Sequence, residues 1–94
     1  MAPTYRLVST PAFERDVRKI ARRNPDLLSV LEAIRTILSS DPYNTSHQHP
    51  IKKLRGIEPG GGQWRIRTGD YRLRYDIFEH DVVLYAFRHR REAY

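Results

Sequence analysis

The stretch WRIRTGDYRLRYDIF, from Trp64 to Phe78, leaves the chain few choices. Trp64, Ile66, Tyr71, Leu73, Tyr75 and Ile77 alternate with Arg65, Arg67, Arg72, Arg74 and Asp76. A period of two belongs to a strand with one buried face and one wet face; wound into a helix, the same residues would spread both sets around its circumference. Thr68, Gly69 and Asp70 separate the two runs, and Gly69 suits the positive-φ position of a tight turn. Two strands, about Gln63 to Arg67 and Tyr71 to Phe78, are therefore expected to form an antiparallel hairpin. Its apolar half covers a core. Its polar half holds four arginines on one face, and like charges on neighbouring strands repel. A chain that keeps such a row should meet something negative.

The rest of the chain supplies what the hairpin must cover. The EHD turn at 79–81 leads to a last strand, about Val82 to Arg88. Upstream, TYRLVS (4–9) alternates enough for a short strand. Thr10 and Pro11 then form a helix start, a hydroxyl cap followed by a proline whose missing N–H costs nothing in the first turn. Phe13, Val17, Ile20 and Ala21 recur at helical spacing. Asn24, Pro25 and Asp26 repeat the start signal, and Leu27, Leu28, Leu31, Ile34, Ile37 and Leu38 form one apolar stripe that Asp41-Pro42 ends. With only Arg22 and Arg23 between them, the helices should form an antiparallel pair. A polar loop (41–51), the basic segment KKLRG and a glycine run, Gly60 to Gly62, fill the connection, the last implying a mobile turn. The order β-α-α-β-β-β predicts an α+β fold, an antiparallel sheet with a helical hairpin packed on one face. Residues 1–94 are expected to form one domain.

Charge narrows the function. The net charge is +6, and residues 51–75 carry seven basic groups (Lys52, Lys53, Arg55, Arg65, Arg67, Arg72, Arg74) against Glu58 and Asp70. The excess points to a polyanion or an acidic protein partner. There is no cysteine, which excludes disulfides and thiolate metal sites and favours a cytoplasmic home. The opening MAPTYRLVST lacks the apolar run of a signal peptide, and no membrane-spanning stretch is expected. His47 and His49 have no third ligand nearby, so no metal is expected. No phosphate loop and no nucleophile elbow are present.

A cationic strand face flanked by aromatics suits RNA, because arginine binds phosphate with two donors and also stacks on bases. Lys52, Lys53, Arg55 and Arg74 are candidate RNA-binding residues. The last strand runs on into AFRHRREAY, which brings His89, Arg90 and Tyr94 to its end. His89 is a candidate acid or base; Tyr94 can donate a proton, stack on a base, or lose its proton among cations. A partly exposed histidine and a frayed terminal tyrosine are the plain alternatives.

In order and spacing, KKLRG, WRIR, GDYRLRYDI and VVLYAFRHRREAY resemble the RelE/ParE superfamily of toxin–antitoxin toxins, and within it the RelE branch, across nearly the whole chain. The resemblance implies the RelE-like microbial RNase toxin fold. It implies a toxin that cleaves mRNA in the ribosomal A site, inhibits translation, uses no cofactor, and is blocked by an antitoxin from the same operon. The family's two basic strand positions fall on Arg65 and Arg67, the arginine of its GYR element on Arg72, its C-terminal arginine on Arg90 and its terminal tyrosine on Tyr94. In the implied reaction a ribose 2′-hydroxyl attacks the adjacent phosphate. Arg72 would stabilise charge on phosphorus with Arg65 and Arg67, Tyr94 would stack or act as base, Arg90 would assist the leaving oxygen, and His89 is a second acid/base candidate. Arginines replace the lysines of the best-known branch at 65 and 67, and arginine keeps its proton, which leaves those two positions an electrostatic role. Two alternatives remain open: a ParE-like, gyrase-inhibiting toxin without nuclease activity, and a non-catalytic RNA- or ribosome-binding module.

Overall fold

The fold comes from a computed structural model that describes residues 4–90. Strand β1 (Arg6–Ser9) is followed by helices α1 (Pro11–Ala21) and α2 (Leu27–Ser40), then by strands β2 (Ile51–Lys53), β3 (Trp64–Thr68), β4 (Tyr71–Phe78) and β5 (Asp81–His89). The sheet order is β1-β5-β4-β3-β2. After the helices the chain enters at one edge and zigzags back through antiparallel strands until β5 lies parallel to β1. The α+β layout is the expected one, with two additions. Part of the basic segment forms β2, which at three residues is too short to display an alternation. The sheet is also mixed, because β1 and β5 run the same way.

Thr10 caps α1 as its sequence predicts: its Oγ1 accepts from the amide of Phe13 at 3.2 Å. The same hydroxyl donates to the carbonyl of Leu84 at 2.8 Å, which bolts the helix start to β5. The second start signal resolves differently. Asn24 does not cap α2; its Nδ2 donates to the carbonyl of Ile20 at 2.9 Å and closes the end of α1. The last carbonyls of a helix need donors, and an amide four residues on reaches one. Helix α2 starts at Leu27, with Asp26 at the cap position but making no side-chain capping bond. Leu28 is 74% exposed and falls outside the expected stripe. The buried set is Phe13 and Ile20 of α1 and Leu27, Ile34 and Leu38 of α2, packed on Ile66, Tyr71, Leu73, Tyr75, Val82, Leu84 and Phe87.

In β5 the alternation breaks. Arg74 lies opposite Ala86 but Tyr75 opposite Leu84, so Tyr85 is an extra residue, a β-bulge. The buried positions accordingly step from Val82 and Leu84 to Phe87. Among the described residues no helix is long and apolar enough to cross a membrane.

The loop after α2 is organised by Asp41, whose carboxylate accepts from the amides and hydroxyls of Thr45 and Ser46 at 2.7–3.2 Å. Next to it, the buried Tyr75 hydroxyl donates to the carbonyl of Pro42 at 2.7 Å. Burial pushes the Asp41 carboxyl up, but the four hydrogen bonds outweigh burial and hold it down at about 2 against an ordinary 3.8. A carboxyl depressed on folding stabilises above its unfolded pKa, and the contribution fades as pH falls through the folded one. Asp41 should thus contribute on the order of 2 kcal/mol that disappears between about pH 4 and pH 2. Urea unfolding at pH 6 and pH 2.5 should show Asp41→Asn costing clearly less stability at the lower pH; an equal cost at both would contradict the assignment.

Candidate nucleic-acid interface

Strand register builds a cationic grid on the sheet face away from the helices. Lys52 lies opposite Arg65, and Arg65 opposite Arg74; in the next row Arg67 lies opposite Arg72, and Arg72 opposite Arg88. Lys53, one residue along, points to the other face. It pairs with Trp64, and its Nζ sits 5.6 Å from the centre of the Trp64 ring. Arg55 is exposed in the turn after β2. Of the basic segment, then, Lys52 joins the grid and Lys53 does not.

At one end of the grid, Arg67, Gly69, Asp70, Arg72 and Arg90 line a cleft of about 430 Å³. Gly69 makes its turn at φ 58°, in the region that favours glycine. The amide of Arg90 donates to the carbonyl of Asp70 at 2.6 Å, which ties the end of β5 to that turn. Arginines far apart in the sequence are thereby gathered around one opening. Asp70 was not singled out from the sequence, although its place in the turn between two arginine strands was the available signal. Nearby in the grid, the Nε of Arg65 is buried and has no hydrogen-bond partner among the described residues.

The remaining sequence-derived candidates lie elsewhere. His89 is opposite Tyr71 in register and stands edge-on to its ring at 5.2 Å, which puts it on the helical side of the sheet. Burial, and then the hydrogen bond to Asp26 at 2.9 Å, push the Tyr71 hydroxyl up to about 12, so it stays a donor at neutral pH. Tyr94 lies outside the described residues. Arg74 turns its guanidinium onto the carbonyls of Gly61 and Gly62. Arg88, which the sequence did not single out, pairs with the carboxylate of Asp16 on α1. That carboxylate also accepts from the amide of Phe87 at 3.1 Å, where β1, ending opposite Leu84, offers no partner strand.

The arrangement can grip a phosphodiester by several arginines and stabilise charge that builds on it. Arginine is too basic to accept the proton of a hydroxyl, so proton transfer needs another group. No group of three or more metal-ligating side chains gathers among the described residues.

Comparison with known proteins gives a consistent result. The family described as the ParE toxin of the type II toxin–antitoxin system parDE matches residues 7–94. A search of curated proteins gave no significant match. Among solved structures, a RelBE toxin–antitoxin complex from Mycobacterium tuberculosis is similar at a TM-score of 0.71 and 31% identity, over 95% of this chain and 100% of that one. An archaeal RelE–RelB complex from Pyrococcus horikoshii is similar at 0.66 and 23%, over 93% and 96% of the two chains, a likeness of fold alone.

Proposed function

This chain belongs to the RelE/ParE superfamily of type II toxin–antitoxin toxins, and from that premise we propose that it is a metal-independent endoribonuclease that cleaves mRNA in the ribosomal A site. The observation that carries the reading is the convergence of Arg67, Arg72 and Arg90 on one cleft beside Arg65. An RNA strand laid across the face would set its scissile phosphate among these cations. The 2′-oxygen attacks phosphorus, the bond to the 5′-oxygen breaks, and a 2′,3′-cyclic phosphate and a 5′-hydroxyl result. The 2′-hydroxyl gives up a proton and the 5′-oxygen gains one. Arg72 stabilises the doubly charged phosphorane with Arg65 and Arg67, and Arg90 assists the leaving oxygen. Proton transfer falls to Tyr94 or His89. His89, on the helical side of the sheet, reaches that chemistry only around the end of β5.

A cognate antitoxin is part of the proposal. The similar structures from Mycobacterium tuberculosis, Pyrococcus horikoshii and Methanococcus jannaschii are toxin–antitoxin complexes, and a carboxylate-bearing segment laid on the grid would offset its repulsion as RNA does. The matching family is described as ParE, which favours a second reading, gyrase inhibition by protein contact. One induction experiment separates them. Mapping of mRNA ends by primer extension should show cuts within translated codons, with chromosomal DNA intact. Growth arrest with whole mRNA and broken DNA would overturn the nuclease reading in favour of gyrase.

A further inference from the structure

Asp76 is the one charged side chain buried among the described residues, at 1% exposure, and it faces the same way as the arginines. Its carboxylate accepts from the amides of Gly60 (2.6 Å), Gly62 (3.2 Å) and Gln63 (2.6 Å). Two residues back on the same strand, Arg74 donates to the carbonyls of Gly61 (2.9 Å) and Gly62 (3.0 and 3.1 Å). The peptide unit joining Gly61 to Gly62 thus gives its N–H to Asp76 and its C=O to Arg74. The unit joining Gly62 to Gln63 does the same. Two successive peptides are held between opposite charges, an ion pair bridged by backbone dipoles. Glycine is required for this. Gly62 has φ 80°, and a Cβ there would lie 3.0 Å from the Cβ of Arg74. The glycine run that reads in sequence as a mobile turn is instead fastened at both polarities.

We propose that Asp76 is a positioning residue for the RNA face. Through the two clamped peptides it keeps the guanidinium of Arg74 on the glycine loop and out of the RNA path, so that Lys52, Arg65, Arg67 and Arg72 meet phosphate and Arg74 does not. The proposal rests on the RNA reading above and adds which cations the face presents. Carbonyl oxygens satisfy three of the donor contacts that Arg74 would otherwise offer to phosphate, and Arg74 gains nothing by leaving them while Asp76 holds the loop.

Salt dependence counts such contacts. For single-stranded nucleic acid, each phosphate neutralised adds about 0.7 to the slope of log affinity against log salt. The probe is a labelled 2′-O-methyl RNA oligonucleotide, which lacks the attacking hydroxyl, titrated by fluorescence anisotropy from 50 to about 300 mM salt. Arg74→Gln should keep the wild-type slope, whereas Arg67→Gln should lower it by about 0.7. Asp76→Asn, which removes the charge and frees the loop, should release Arg74 and steepen the slope by about 0.7, and the double variant Asp76→Asn/Arg74→Gln should return to the wild-type value. A merely structural Asp76 would not produce that gain and its reversal. A slope lowered by Arg74→Gln as much as by Arg67→Gln would overturn the proposal, and this arm stands even if Asp76→Asn fails to fold. A folded Asp76→Asn with an unchanged slope would also overturn it. Wild-type protein without salt-dependent binding would instead remove the RNA reading on which the proposal rests.

Discussion

Arg72→Ala should lower RNA cleavage by roughly 100- to 1,000-fold, the usual cost of deleting one donor aimed at charge that develops in a transition state. Arg72 sits in the middle of its row, with Arg67 on one neighbouring strand and Arg88 on the other, and lines the cleft with Arg67 and Arg90. Primer extension after induction reads the loss, alongside a thermal melt that shows the purified variant folded. Loss of cuts with a cooperative melt is the expected pair. Cleavage at the wild-type rate would remove Arg72 from the chemistry.

Asp76→Ala should be the most damaging single change to the fold. It strips three backbone amides of their acceptor and leaves the charge of Arg74 without its counterpart across the two peptides. Removing one partner from a buried, hydrogen-bonded charge system costs about 3–5 kcal/mol. A domain of this size has only about 5–15 kcal/mol in total, and each kcal/mol moves Tm by about 4–8 °C. A fall of roughly 15 °C or more is therefore expected in a calorimetric melt. A loss below about 1 kcal/mol would mean that the loop finds other partners.

Much of the architecture is legible in the chain because its signals are local. Thr10 and Pro11 announce α1 by a cap and a fixed φ, and both lie where that chemistry requires. Strand β4 spans Tyr71–Phe78 as its alternation predicts. Asn24 misleads for an equally local reason: a side-chain amide between two helices can serve either end, and here it donates to the carbonyl of Ile20. Leu28 reads as core by spacing alone, yet the next elements leave its side of α2 uncovered.

The candidate site divides in the same way. Periodicity separates Arg65, Arg67, Arg72 and Arg74 from the core residues between them, and charge counting marks residues 51–75 as the basic segment. Neither tells where the guanidinium of Arg74 is held. That depends on the glycine loop meeting Asp76, a contact spanning sixteen residues at its widest, which no repeat of two or 3.6 can encode.

Alternation along the chain is enough to dictate a strand hairpin with an apolar face and an arginine face, because side chains on a strand must alternate and water and core select opposite types. Helical spacing likewise marks the helix pair that the apolar face covers. The assembled sheet adds that β5 bulges at Tyr85, that Arg90 closes onto the Asp70 turn to complete a cleft with Arg67 and Arg72, and that Arg74 donates to a glycine loop whose amides Asp76 accepts. The reason is physical: alternation is set residue by residue along one strand, whereas a cleft and a buried carboxylate are set by which distant backbone groups are left needing a partner when the strands come together.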